Sequence, residues 1–276
     1  MVINMFLIIS VIIVLIFILI KLKYNYLENR KLYKQIDNLK ISLSKTNKKH
    51  PFFSYSQLGE DLIIKSIFNG LGLESIKYLD IGAHHPQNNS NTYLFYLDGS
   101  NGVLIEPDPY FVDDLKSIRP NDTVLNVGIG PENRTDADFY IMSARGLNTF
   151  DEIQANKIND EGDYYIKESI KINIANINDI IKKYFNQSPN LINIDTEGLD
   201  FQILQSFNFN KYLPEIFCVE TVEFAERGMQ EKFEYIHQFM AQKGYFVFAD
   251  TFVNTIYVHR ELWINRKVPW LDKKNK

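Results

Sequence analysis

Three short segments of this sequence gather residue types that chemistry needs. The first is Asp80-Ile81-Gly82-Ala83-His84-His85-Pro86, an acid, a glycine and two imidazoles closing the apolar run 78–81. A glycine where a strand turns lets a ligand approach the backbone, and an acid at the strand end can hold a cationic or hydroxylic part of it. The second is Glu106-Pro107-Asp108, which follows the apolar run 102–105 and puts a carboxylate where two ribose hydroxyls are commonly bound. The third is Asp195-Thr196-Glu197-Gly198 after residues 191–194, with Glu220 ending the run 216–219. The three-glycine pyrophosphate fingerprint is absent, which argues against NAD or FAD and for an adenosine cofactor without phosphates.

Alternation along a strand turns Asp195 and Glu197 to one side and Thr196 to the other. Two uses of these carboxylates stand side by side. With Glu220, and with a histidine, they form an oxygen-rich site for a divalent cation that orients vicinal hydroxyls; equally, they bind hydroxyls directly. Alternation supplies direction but no coordination geometry, so the metal-free reading is the one preferred. A neutral imidazole suits removal of a hydroxyl proton, and of the adjacent pair His84 and His85 only one faces a pocket; His85 is the candidate base. Ser54-x-x-Gln57 reads as a capping box or as a ligand contact, and Asp61 as a helix-face charge or a pocket residue. Cys218, on an apolar strand, reads as a small core residue.

The elements that must position these groups follow from periodicity. Short apolar runs at 78–81, 103–105, 124–127, 191–194 and 216–219 alternate with helical segments, which is the pattern of a doubly wound α/β sheet whose ligands collect at the carboxyl ends of the strands. Leu58, Leu62, Ile63 and Ile67 mark a leading helix that Gly70 can stop. Residues 245–249 and 255–259 suit an antiparallel hairpin finishing the sheet. Residues 141–173 lack a clear period and are expected to form a lid or substrate loop.

Composition narrows the class. The 276 residues are 45% hydrophobic and 23% charged with a formal net charge of −4, which describes a folded chain with a sizeable core. One cysteine excludes an intramolecular disulfide framework and a Cys-only zinc site. Residues 1–50 hold nine Lys/Arg against two Asp/Glu, +7, leaving 21 against 32, or −11, in the remaining chain. A domain of that sign is a poor match for phosphate backbones, so nucleic acid is not an expected partner. Residues 2–20 are interrupted only by Asn4 and Ser10, and at 1.5 Å per residue they cover roughly 28 Å of hydrocarbon. No basic n-region or small-residue cleavage site accompanies them, so the expectation is an uncleaved anchor. Basic residues follow the span and none precedes it, which puts the bulk of the chain on the cytoplasmic side. The expected organisation is an anchor over 1–23, a basic helical stalk over 24–50, a domain over 51–265 and a basic tail over 266–276.

The set Ser56-Gln57-x-Gly59-Glu60-Asp61, Asp80 to Pro86, Ser90-Asn91-Thr92-Tyr93, Ile105 to Pro109 and Ile194 to Gly198 resembles, in order and spacing across about residues 52–260, the FkbM family of S-adenosylmethionine-dependent methyltransferases. The resemblance implies a class I methyltransferase fold, Rossmann-like, with a seven-stranded mixed sheet containing one reversed strand, and methyl transfer to oxygen. Carried over, Asp80, Gly82 and Ala83 match the cofactor turn and Glu106 the ribose acid. Asn91 would lie beside the methionine moiety, and Gln57 with Asp61 would close the pocket. Asn193 stands where a basic residue is common. The function expected from family and anchor together is a membrane-tethered O-methyltransferase acting on a sugar hydroxyl of a surface glycan or its precursor. The alternatives are a lipid or polyketide hydroxyl as acceptor, or a non-catalytic scaffold.

Overall fold

The computed structural model describes residues 53–222 and 232–266, together with Lys21, Lys23 and Lys31, which are helical. The chain divides into two compact units, 1–53 and 54–276. The expected anchor, stalk and tail lie outside the described residues, apart from those three lysines and Arg266; no described helix is long and apolar enough to cross a membrane.

The second unit begins with α1 (Glu60–Leu71) and β1 (Lys77–Ile81), then α2 (Tyr93–Leu97), β2 (Asn101–Ile105), α3 (Pro109–Ile118) and β3 (Thr123–Leu125). A small sheet follows, made of β4 (Gly128–Gly130), β5 (Arg134–Met142) and β6 (Ile166–Asn176), with a 3-10 turn at Arg145–Leu147 and α4 (Glu152–Glu161) between the last two. The large sheet resumes through α5 (Ile177–Tyr184), β7 (Leu191–Ile194), α6 (Asp200–Ser206), β8 (Ile216–Glu220), α7 (Glu234–Gln242), β9 (Tyr245–Asp250), β10 (Asn254–His259) and α8 (Arg260–Ile264). Its order is β3-β2-β1-β7-β8-β10-β9. The first five strands are parallel, and β10 is antiparallel to both β8 and β9, so it is the one reversed strand of the seven.

The central strands are buried on both faces, which is why they read as continuous apolar runs. Leu79, Ile81, Ile192, Ile194, Phe217 and Val219 pack with α5, α6 and α7 on one side. Tyr78, Leu104, Leu191, Ile216, Cys218 and Ile256 pack with α1 and α3 on the other. Two expectations need correction. Gly70 does not stop α1, which runs to Leu71 and closes on left-handed Gly72. Residues 141–173 are not one irregular loop, because they hold the end of β5, the 3-10 turn, α4 and most of β6, which pairs with β5. The sequence of β6 alternates, but its strand is largely solvated, so few of its residues read as core.

Beneath the carboxyl ends of the strands lies a buried cation. Arg119 donates to Asp122 (2.7 Å), the Tyr78 hydroxyl (3.1 Å), Thr92 Oγ1 (3.0 Å) and Ser90 Oγ (3.3 Å), with the Arg119 and Asp122 side chains both fully buried. Its guanidinium also lies 5.4 to 5.9 Å from the ring centres of Tyr78, Tyr93 and Tyr96. Removing one member of such a pair strands the other. Arg119→Met should therefore lower stability by about 3–5 kcal/mol, and adding Asp122→Asn should recover part of the loss; urea unfolding of the two variants checks both.

Candidate active site

The carboxyl ends of β1, β2, β7 and β8 open into a cavity of about 390 Å³. Its floor is set where β1 and β7 finish: the Asp195 amide donates to the Ile81 carbonyl (3.0 Å), while the Gly82 and Ala83 amides both reach the Ile105 carbonyl (3.1 and 3.0 Å). Gly82 has φ +82°, and a Cβ there would sit 1.7 Å from the Asp195 carbonyl oxygen. Glycine is thus required first by the protein's own backbone, and the ligand's approach is a consequence of the same close packing.

Glu106 is buried and lines the cavity. Its two oxygens accept from the His84 amide (2.6 Å) and the Asp108 amide (2.7 Å), which locks the turns after β1 and β2 together and leaves lone pairs for a ligand. Burial outweighs those donors and pushes its carboxyl up to about 8.

The structure places His85, the expected base, in a turn beside the cavity. Its Nδ1 accepts from the Gln87 and Asn88 amides (3.1 and 3.0 Å), so it caps a turn and does not line the cavity. His84 lines it instead, at φ +47°, with its ring 4.1 Å from that of Phe111 and Nε2 without a partner. Burial, with the neighbouring His85, lowers its imidazole to about 4, which makes it neutral near pH 7 and a weak base.

Gln57, Gly82, Asn91, Glu106, Asp195 and Glu197 line the cavity, whereas Asp61, Asp80 and Ala83 do not. Asp61 accepts from Ser54 Oγ (2.7 Å), the Tyr55 amide (2.7 Å), Ser56 Oγ (3.0 Å) and the Leu62 amide (2.8 Å), so it is neither an exposed helix charge nor a pocket wall. It ties residues 54–56 to the start of α1. No capping box forms there, since the N-cap is left-handed Gly59 without a side-chain bond. Asp80 accepts from Thr92 Oγ1 and Asn193 Nδ2 (2.9 Å) behind the cavity wall, and Ala83 belongs to the core. Asn193, Asp80 and Cys218 are register neighbours on one sheet face, and Asn193 Oδ1 in turn fixes Asn91 Nδ2 at 2.9 Å. The departure at Asn193 is thereby accounted for as a link from Asp80 to Asn91.

Opposite Glu106 stand three half-buried carboxylates. Asp195, Glu197 and Glu220 each bring one oxygen within 4.8 Å of the others. Burial and then neighbouring acids raise all three above the ordinary carboxylate range: Asp200 and Asp80 act on Asp195, which rises to about 7, and Asp195 and Asp200 act on both Glu197 and Glu220. Hydrogen bonding between the Asp195 and Glu220 carboxyls lowers the first and raises the second. The turn carrying Asp195 and Glu197 is built by Asp200, which accepts from the Thr196 amide (2.9 Å) and the Gly198 amide (3.3 Å). Glu197 is left-handed at φ +52°, which breaks the strand alternation and lets Thr196 line the cavity too.

Two further parts complete the wall. One is the arm of residues 144–148, inside the stretch expected as a lid or substrate loop, where Arg145 pairs with Asp108 and lies 4.2 Å from the Tyr110 ring centre. The other is Asn254, paired in register with Glu220 and read only as the edge of a hairpin turn. Four buried polar side-chain atoms lack a hydrogen-bond partner among the described residues: His84 Nε2, Asn91 Oδ1, Thr196 Oγ1 and Asn254 Oδ1. All four residues line this one cavity. Orphans of that kind are rare in a finished core and mark a place where a polar ligand completes the bonding; the Thr196 hydroxyl is near enough to Asp200 to help hold its charge, without forming a full hydrogen bond.

The profile of the family described as Methyltransferase FkbM domain matches residues 80–247, which carry every one of these strand ends. The chain belongs to that family. Two solved structures are similar to it. One is the methyltransferase FkbM from Methylobacillus flagellatus KT, with 15% identity and a TM-score of 0.40 over 67% of this chain. The chain spans 44% of that protein's length. The other is the 1,6-didemethyltoxoflavin-N1-methyltransferase of Burkholderia thailandensis, solved with 1,6-didemethyltoxoflavin and S-adenosylhomocysteine, with 8% identity and a TM-score of 0.38 over 72% of this chain and 75% of that one. No curated protein sequence matches.

The raised acids fix a sign for pH dependence. In the folded domain Glu106 and Asp195 keep protons, up to about 8 and about 7, that the unfolded chain has already released. Folded protein then binds more protons than unfolded, so stability falls as pH rises. The lowered imidazoles of His84, His85 and His259 work in the opposite sense, but only below their unfolded value of 6.5. Between pH 6.5 and 8 the carboxyls act unopposed, and the thermal midpoint should decline across that window; a flat or rising midpoint would remove the buried-acid account.

Proposed function

We propose that this methyltransferase-family chain uses S-adenosylmethionine to methylate a hydroxyl oxygen, the acceptor being a sugar of a surface glycan or its precursor. Glu106 carries this reading: a buried acid at the end of β2, held by two backbone donors and still offering lone pairs to the cavity. Those lone pairs suit ribose hydroxyls, and the free Asn91 Oδ1 suits an ammonium donor of the methionine part. Gln57, exposed at the rim, would cover the same end. Bound there, S-adenosylmethionine supplies an electrophilic methyl group.

The far end of the cavity supports an acceptor rich in hydroxyls, because Asp195, Glu197 and Glu220 present several acceptor oxygens together. Asp195, at about 7, is matched to proton removal near neutrality, better than His84 at about 4. It takes the proton that the acceptor hydroxyl loses as its oxygen gains the methyl. Attachment to the membrane through residues 1–23, with the domain on the cytoplasmic side, is supported by the apolar run and by the basic residues that follow it.

Glu106→Gln keeps one oxygen acceptor for the turn but puts an amide NH2 donor where the second acceptor oxygen stood. It should weaken S-adenosylmethionine binding by about 1.5–3 kcal/mol in calorimetry; unchanged affinity would discard the ribose assignment. Labelled methyl groups from S-adenosylmethionine should enter the glycan fraction of a cell extract, and Asp195→Asn should slow that incorporation by about 10²- to 10⁴-fold. Label confined to lipids would move the acceptor to a lipid hydroxyl.

A further inference from the structure

The acid cluster is arranged as more than a set of hydrogen-bond acceptors. The strongest charges acting on Asp195, Glu197 and Glu220 come from one another and from Asp200, Asp80 and Glu60, all negative. No ion pair joins any of the three to a described basic side chain. Directly across from Glu220 in the β8–β10 register stands Asn254, on the same sheet face and facing the same cavity. Asn254 is 2% exposed, and its Nδ2 donates to Glu60 Oε1 at 3.3 Å, which fixes which way the amide points. Its Oδ1 is consequently turned away from Glu60 and accepts nothing. An amide oxygen lacking a donor, beside three crowded carboxylates, wants a positive partner and not a fourth acceptor.

We propose that Asp195, Glu197, Glu220 and the Asn254 amide oxygen form a binding site for a hard divalent cation, of the Mg²⁺, Mn²⁺ or Ca²⁺ class. Every ligand is a neutral or anionic oxygen, the set such ions select, with no sulfur or imidazole to favour zinc or copper. Metal–oxygen bonds of about 2.0–2.6 Å place opposite ligands about 4–5 Å apart, and the three carboxylate oxygens already lie within 4.8 Å. Remaining positions would go to water or to hydroxyls of an acceptor. The cation's binding does not depend on the methyl-transfer reading; only its use in orienting an acceptor does, Asp195 then offering one oxygen to the cation and the other to the acceptor's proton.

The test is Mn²⁺ alone, titrated into the full chain and followed by loss of the free-ion EPR signal, with S-adenosylhomocysteine affinity measured by calorimetry on the same samples. One bound Mn²⁺, displaced by Mg²⁺ or Ca²⁺, is expected. Glu197→Gln, Glu220→Gln and Asn254→Ala should each weaken it by no less than the ~10- to 100-fold typical of losing even an outer partner of a metal. Glu220→Gln removes a repelled charge, so its thermal midpoint in chelator should equal or exceed that of the parent, showing that the fold survives. Absence of Mn²⁺ binding at millimolar concentration, or binding that the three substitutions leave intact, overturns the site. S-adenosylhomocysteine binding without Mn²⁺ binding would refute the cation alone, and Mn²⁺ binding without S-adenosylhomocysteine binding would refute the cofactor reading alone.

Discussion

Parallel strands deliver their last side chains to one edge of the sheet, and here those side chains are acids. Asp80, Glu106, Asp195 and Glu220 come from four adjacent strands, and each must leave water to let the sheet close. Burying a carboxylate without compensation is costly, so the surrounding structure is largely a record of how each one is satisfied. Asp80 is met by Thr92 and Asn193, with the positive field of Arg119 behind them. Glu106 is met by two backbone amides. Asp195, Glu197 and Glu220 meet chiefly one another, and that asymmetry gives the cavity its two ends.

The backbone follows the same logic. Left-handed conformations at His84, Glu197, Gly82 and Gly198 all occur where the chain leaves β1 or β7, because the turns must double back to aim amides at acids. Asp200 repeats the device one turn later for the amides of Thr196 and Gly198. The arm at residues 144–148 is tied on by Arg145 and Asn148, both donating to Asp108 Oδ2, the N-cap residue of α3. Thr149, bridged to Tyr140 of β5, donates from its hydroxyl to the Glu197 carbonyl (2.7 Å), so the same segment is tied to both the Glu106 end and the acid end of the cavity.

Much of this was legible in the sequence because strand ends carry their own punctuation. The apolar runs stop at Asp-x-Gly, Glu-Pro and Asp-x-Glu-Gly, and those stops are where the cavity lies. The choice between His84 and His85 was not legible, since it turns on φ +47° at one residue, and nothing in a histidine pair announces a left-handed backbone. Arg119 gave no signal either: it lies at the end of an ordinary amphipathic helix, and its partners come from three other segments. The β5–β6 hairpin was hidden by its exposure, because alternation is readable only when one face is consistently apolar. Asn254 looked like turn chemistry, and its importance comes from its register with Glu220.

Protons answer to binding at each end of the cavity. Any donor that reaches Glu106, and any cation or hydroxyl that reaches the Asp195 cluster, favours the ionised form of an acid whose burial holds it partly protonated. Binding at either end therefore releases protons and offsets the stability these acids lose as pH rises, by linkage and without any conformational change. Asp195 and Glu106 both feel the buried charge of Asp80, on the strand between theirs, which raises each of them. A fold that merely tolerated these acids would have paired them internally, as it pairs Asp122 with Arg119. Leaving them short of donors only where they face the cavity makes occupancy itself the missing stabilising interaction.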